Sequence, residues 1–153
     1  MSIRSVVEED IPDLKKVLES IELFPSEFLD EMISDYFSNA NSEDIWLTKV
    51  LDNKCIAIAY CAPEKFTDGT YNLYAIGVTK EFQGKGTGGE MMRYVEELLT
   101  RKSARLLLVE TSGDPQFELT RRFYDGLGYK KEAVIREFWK EGEDKIVFWK
   151  KLN

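Results

Sequence analysis

The chain has 153 residues, 43% of them hydrophobic and 32% charged, and a formal net charge of −7 at pH 7. That length and balance predict one globular domain over residues 1–153 with a real core and little room for a second. The acidic surface argues against nucleic acid or an anionic membrane as partner, and no apolar run predicts a membrane span or an export signal.

Ile3 to Val6 reads as a first strand. Asp10 can cap a helix with Pro12 in its first turn, and Ile11, Leu14, Val17, Leu18 and Ile21 form its apolar stripe. Pro25-Ser26 breaks the chain, and Ser26 can cap a second helix whose face is Phe28, Leu29, Met32, Ile33, Tyr36 and Phe37. Ile45 to Val50 and Cys55 to Ala62 read as strands joined by an Asp52-Asn53 turn. Cys55 and Cys61 are six apart, which on a straight strand puts both on one face roughly 20 Å from each other, too far for a disulfide. They read as buried thiols of a reducing compartment, which suggests the cytoplasm.

Tyr71 to Val78 is rich in strand formers but alternates only imperfectly, which predicts a strand covered on both sides. Met91, Met92, Val95, Leu98 and Leu99 recur at spacings of three and four, a helix packed on the sheet to about Lys102. Arg105 to Thr111 is an apolar run suited to a central parallel strand. Gln116 to Leu127 reads as a helix ended by Gly128. Glu132 to Phe138 and Lys145 to Leu152 read as a closing hairpin around Glu141-Gly142-Glu143-Asp144.

The stretch between the strand ending at Val78 and the helix after it carries the chemistry. Gln83-Gly84-Lys85-Gly86-Thr87-Gly88-Gly89 places four glycines at a helix start. Backbone without Cβ atoms approaches a ligand closely, and the first helical N–H groups have no internal partner, so an anion such as a pyrophosphate is expected over residues 84–89. A phosphate loop of the GxxxxGK[ST] type is excluded, because Lys85 is followed by Gly86. A dinucleotide fingerprint is formally present in Gly84, Gly86 and Gly89 with Glu110 downstream, but its first glycine belongs directly after the strand, and here Thr79 to Gln83 intervene. Lys80, Lys85, Arg93, Arg121 and Arg122 are candidates for a basic patch around the turn, or for ordinary solvated charge.

Gln83-Gly84-Lys85-Gly86-Thr87-Gly88 after such a strand resembles the acetyl-coenzyme A signature of the GCN5-related N-acetyltransferase (GNAT) superfamily. Arg122-Phe123-Tyr124-Asp125-Gly126-Leu127-Gly128-Tyr129 resembles its second signature, an aromatic pair followed by Gly-Tyr. The resemblance implies an α/β (α+β) fold, a mixed, mainly antiparallel sheet flanked by about four helices. It implies that acetyl-coenzyme A is the co-substrate, that Gln83 and the amides of Gly84, Lys85, Gly86, Thr87, Gly88 and Gly89 hold its pyrophosphate, and that the backbone of Ile76, Gly77 and Val78 pairs with its pantetheine arm. It implies that Tyr124 lies near the sulfur as acid to the leaving thiolate. It also implies that the segment holding Phe24, Phe28, Met32 and Tyr36 lines the acceptor site, although core packing accounts for each of them more simply. The family often has Asn and Ala where Phe117 and Thr120 stand, which departs from its side-chain contacts to the arm.

N-acetyl transfer must deprotonate an amine and protonate a thiolate. The chain has no histidine, which removes the commonest base and zinc ligand, and no metal is expected. Glu110, at the end of its strand, is the first candidate base, with Glu81 and Asp114 behind it. A backbone N–H near Val78 can polarise the thioester oxygen. Phe138 and Trp139, in the charged and aromatic stretch Arg136–Lys145, are candidates for an acceptor wall, a subunit interface or sheet packing. The expected partner is an amine-bearing small molecule or peptide, with a homodimer as the assembly the resemblance allows. A non-catalytic acyl-coenzyme A sensor and a small NAD-binding protein are the alternatives.

Overall fold

The computed structural model describes residues 2–152. Seven strands form one sheet: β1 (Ser2–Ser5), β2 (Ile45–Leu51), β3 (Lys54–Pro63), β4 (Thr70–Val78), β5 (Leu106–Ser112), β6 (Lys130–Lys140) and β7 (Glu143–Lys151), in the order β1-β2-β3-β4-β5-β7-β6. Every neighbouring pair is antiparallel except β4 and β5. Four α-helices flank it: α1 (Ile11–Ser20), α2 (Leu29–Ser38), α3 (Thr87–Arg101) and α4 (Glu118–Gly126). The mixed, mostly antiparallel sheet with about four helices is the architecture the sequence predicts.

The helices divide the core between the two faces. α1 and α2 bury Leu14, Val17, Leu18, Leu29 and Ile33 with Trp46 and Ile58. α3 and α4 bury Met91, Met92, Val95, Leu99 and Tyr124 with Leu107, Val109 and Phe148. The apolar periods read from the sequence are these two faces.

Two irregularities explain what the sequence pattern obscures. On β3, Lys49 pairs with Ala57 and Val50 with Cys55, so Ile56 is an extra residue in the ladder. This bulge reverses the alternation. Cys55 packs with α1 and α2 while Cys61 packs with α3 and α4, so the two thiols lie on opposite faces, not on one face as a straight strand requires. Both are free and buried. On β4, Tyr60 pairs with Ala75 and Cys61 with Leu73, leaving Tyr74 unpaired. Leu73 and Ile76 therefore share a face, and the imperfect alternation of residues 71–78 is this bulge.

Element ends also shift. Asp52 and Asn53 both adopt positive φ, 50° and 64°, as a tight two-residue hairpin requires. Ser26 opens a 3-10 turn, Ser26–Phe28, and its hydroxyl donates to Glu19 rather than capping α2. Pro115–Phe117 likewise forms a 3-10 turn ahead of α4. Asp10 precedes α1 without bonding its amides. Its carboxylate instead takes the Val7 N–H at 2.9 Å and both guanidinium arms of Arg4 at 2.7 and 2.9 Å.

Burial raises the Cys55 thiol to about 11 and the Cys61 thiol to about 12. At pH 8 neither carries appreciable thiolate. Iodoacetamide should therefore modify neither cysteine in the native protein over an hour and both in denaturant, as read by intact mass.

The Arg4 hydrogen bonds hold Asp10 below the usual carboxylate range. Its contribution is present above the unfolded carboxylate pKa of about 4 and is lost as pH falls through the depressed folded value. Asp10→Asn should cost about 2 kcal/mol at pH 7 by denaturant unfolding. Its deficit against the unmutated protein should shrink as the pH approaches 3.

Candidate active site

β4 and β5 pair only from Thr70–Leu73 to Leu106–Val109. Past the Tyr74 bulge they part, although β4 stays paired to β3 as far as Val78 and β5 to β7 as far as Ser112. Each strand thus turns an unpaired edge into a cleft. The cleft opens into two adjoining cavities, ≈ 270 and ≈ 490 Å³, that share Ile76, Gly77, Val78, Gln83, Thr120 and Tyr124. Among the predicted residues, the structure brings Ile76, Gly77, Val78, Gln83, Gly84, Gly86, Thr87, Gly88, Gly89 and Tyr124 to the larger cavity, and Glu110 to the smaller one.

The larger cavity lies over the glycine turn. Gly84 and Gly86 hold φ of +75° and +85°, and a Cβ at either would meet nothing within 4 Å. Their conformation demands glycine, and they face open space. Gly86 precedes α3, whose first internal bond runs from the Glu90 N–H to the Gly86 carbonyl at 3.1 Å. The amides of Thr87, Gly88 and Gly89 lie before that bond, at the positive end of a 15-residue helix. Gln83 donates from Nε2 to the Val78 carbonyl at 3.0 Å. Lys85 lies with its Nζ 5.3 Å from the Phe82 ring. Arg121 donates to the Ser112 and Asp114 carbonyls, and Arg122 pairs with Glu118, so these two are engaged within α4 and its approach. A 3-10 turn, Lys80–Phe82, separates β4 from the glycines. The dinucleotide reading requires the glycines straight after a strand of a parallel sheet, and it fails on both counts.

An edge of unpaired strand beside a turn of free amides fits a long ligand with a peptide-like arm and a pyrophosphate. Acetyl-coenzyme A has that shape and chemistry. Ile76 to Val78 would face its arm and residues 84–89 its phosphates.

Tyr124 stands where the two cavities meet. The residue is only 4% exposed, its ring packed near Phe123, Tyr129 and Phe148. Burial holds its phenol above the ordinary value, so it carries its proton at neutral pH. Its hydroxyl makes no hydrogen bond to another described residue, unlike Tyr129, which donates to Glu96 at 2.6 Å.

The smaller cavity has an acidic wall. The Glu110 carboxylate takes a hydrogen bond from Asn72 Nδ2 at 2.8 Å on one oxygen and lies 3.3 Å from Lys145 Nζ on the other. The same Nδ2 reaches Glu64 at 2.8 Å, and Tyr74 donates to Glu64 at 3.3 Å. Burial, reinforced by Glu64, pushes Tyr74 up to about 12. Lys145 is itself buried and lies 3.8 Å from the Phe138 ring centre.

The remaining predicted acceptor residues lie elsewhere. Phe24, Met32 and Tyr36 pack against the α1–α2 core, and the Tyr36 hydroxyl donates to the Val6 carbonyl at 2.8 Å. Phe28 is exposed away from both cavities. Phe138 and Trp139 pack edge to face, and the Trp139 indole reaches the Thr111 carbonyl at 3.4 Å, beside the cavity but not lining it. The segment that does line it from the part of the chain before β2 is Ile21, Glu22 and Leu23. Ser20 anchors this segment, its hydroxyl 3.0 Å from that of Thr79 and accepting the Lys80 N–H. A sequence signal for it exists in Gly77, where a Cβ would overlap Ile21 Cδ1. Phe117 and Thr120, which depart from the family pattern, also line the smaller cavity.

A sequence profile described as "Acetyltransferase (GNAT) family" matches residues 8–129. The chain belongs to the GNAT family. Among solved structures, a GNAT-family protein from Desulfovibrio desulfuricans is 29% identical, with a TM-score of 0.93 and 99% of each chain covered. The ribosomal-protein-S18-alanine N-acetyltransferase of Escherichia coli is 18% identical, with a TM-score of 0.78 and coverage of 99% of this chain and 94% of that one. An aminoglycoside 6'-N-acetyltransferase from Enterococcus faecium is 16% identical, with a TM-score of 0.77 and coverage of 100% and 98%. The latter two likenesses show the GNAT fold alone. None of the curated proteins matches the chain by sequence. GNAT membership supports acetyltransferase activity in general, and GNAT proteins typically bind acetyl-coenzyme A.

Proposed function

We propose that the protein transfers an acetyl group from acetyl-coenzyme A to a primary amine by direct attack. The observation that carries this reading is Tyr124. Its protonated hydroxyl, which bonds no other described residue, stands between a cavity over free helix amides and a cavity walled by a carboxylate. The bound coenzyme supplies a thioester whose acyl carbon accepts a neutral amine.

The chain's own residues do the rest. The amides of residues 84–89 would hold the phosphates, and the open edge of β4 at Ile76–Val78 would pair with the arm. A backbone N–H near Val78 polarises the acyl oxygen. Glu110, kept in place by Asn72 and Lys145, takes the proton of the arriving ammonium. Tyr124 gives its proton to the departing sulfur and regains one from the acetylated nitrogen as the tetrahedral intermediate collapses to the amide.

The test is thiol release from acetyl-coenzyme A in the presence of a panel of amines, run beside calorimetric titration of coenzyme A. Release with one class of amine supports transfer. Tight coenzyme binding with no release from any amine would favour a sensor, and absence of coenzyme binding would remove the assignment.

A further inference from the structure

The acidic wall of the smaller cavity is more than a place for a base. Asn72 sits on β4 at 0% exposure, its Nδ2 2.8 Å from an oxygen of Glu64 and 2.8 Å from an oxygen of Glu110. Those two carboxylate oxygens are therefore no further apart than twice that distance. Two like charges held this close repel, and the buried amide between them has an Oδ1 with no partner among the described residues. Lys145 answers one of the two charges, at Glu110. Among the described residues the Glu64 carboxylate meets only the Asn72 amide and the Tyr74 hydroxyl, both neutral donors. Glu22 adds a further acid to the rim. Among the described residues this buried amide joins two carboxylates, Glu110 lining the cavity and Glu64 behind the cavity-lining Tyr74, to a single cation, so the cluster is short of one positive charge.

The aromatic surroundings suit a cation. Tyr74 lines the cavity and is 45% exposed, because the β4 bulge leaves it without a partner on β3. Its ring lies 5.4 Å from that of Tyr60, which stacks on Trp46 at 4.2 Å, so it is held firmly from behind. A ring face beside a carboxylate is a good receptor for an alkylammonium group.

We propose that Glu64 and the Tyr74 ring form a cation subsite next to Glu110, and that the acceptor is a short diamine. One nitrogen reacts at Glu110 while the other stays charged at Glu64. This rests on the acetyl-transfer reading for the role of Glu110. The tether sets the span: carboxylates a few ångströms apart match nitrogens separated by three or four methylenes, and Asn72 acts as a positioning residue that fixes that span.

The experiment titrates 1,4-diaminobutane and butylamine into the protein saturated with coenzyme A, at one ionic strength, by calorimetry. The second charge–carboxylate contact predicts that the diamine binds at least ~10-fold more tightly. Glu64→Gln should reduce that ratio to below about two-fold while coenzyme A affinity and the thermal midpoint stay where they were. Asn72→Ala should also erode the ratio: Asn72 holds Glu110 as well as Glu64, so butylamine affinity falls too, but diamine affinity falls further.

Equal affinity for the two amines in the unmutated protein, no binding of either, or a ratio that survives Glu64→Gln overturns the proposal. Coenzyme A binding with any of these results leaves acetyl transfer standing and removes the diamine alone. Failure to bind coenzyme A removes both.

Discussion

Tyr124→Phe should lower the rate of acetyl transfer at saturating substrates by about 100-fold or more, with coenzyme affinity and thermal midpoint nearly unchanged. A positioned acid contributes typically 10²–10⁴-fold, and the hydroxyl is the only atom removed. The ring stays where Phe123, Tyr129 and Phe148 already hold it. The lost hydroxyl bonds no other described residue, so its removal leaves no orphaned partner behind. Folding gives no reason for a polar atom at this position, and the proposed acid role does. Tyr129→Phe is the control. That hydroxyl donates to Glu96, which also pairs with Lys150 at 3.1 Å, between α3 and β7. Its loss should cost about 1 kcal/mol of stability and leave the rate within two-fold. An unchanged rate in Tyr124→Phe would make Tyr124 a core aromatic. A fall in the rate of both variants together would point to general loosening of α4.

The sequence exposes the glycine-turn side of the cleft and hides the carboxylate side, for a physical reason. The glycine turn is local: residues 84–89 form the helix start by themselves, and the positive φ of Gly84 and Gly86 leaves a mark in residue type. Tyr124 is carried by a helix with a clear apolar face and a terminal glycine, Gly128, at φ +90°. The carboxylate cluster beside the smaller cavity is assembled from distant pieces. Glu64 comes from the β3–β4 connection, Asn72 from β4, Glu110 from β5 and Lys145 from β7, and no spacing in the chain announces that one amide will bridge two of them. The bulges at Ile56 and Tyr74 compound this. Each reverses the faces of every residue beyond it, so a straight-strand reading places Cys55 with Cys61 and gives no reason for Tyr74 to face the cavity. Phe24, Phe28, Met32 and Tyr36 attract attention by size, but α2 needs them, or solvent takes them. The smaller segment Ile21–Leu23 reaches the cavity because Ser20 is tied to the turn after β4.

Gly86→Val should weaken coenzyme A binding by roughly 100-fold while leaving the protein folded. Gly86 is the left-handed residue from which α3 starts, φ +85°. A β-branched residue there is strained by about 1–3 kcal/mol. The chain can relieve this strain by turning the peptide, because nothing within 4 Å blocks the new side chain. Turning it re-aims the amides of Thr87 and Gly88. Two charge-assisted hydrogen bonds to a phosphate lost together amount to about 3 kcal/mol, which is the stated loss in affinity. The steric part is separable. Gly88→Ala keeps helical angles and puts a methyl 3.3 Å from Phe123 Cζ, at the floor of the same cavity. It should lose less affinity than Gly86→Val, because Phe123 can shift by the few tenths of an ångström required. Gly126→Ala, with helical φ and open space around the new methyl, should leave affinity alone and raise stability by up to about 1 kcal/mol. The order Gly86→Val, Gly88→Ala, Gly126→Ala in lost affinity follows if the amides at the start of α3 bind the anion. Equal and small losses in all three would place the coenzyme elsewhere, and the free amides of α3 would then be a helix end like any other.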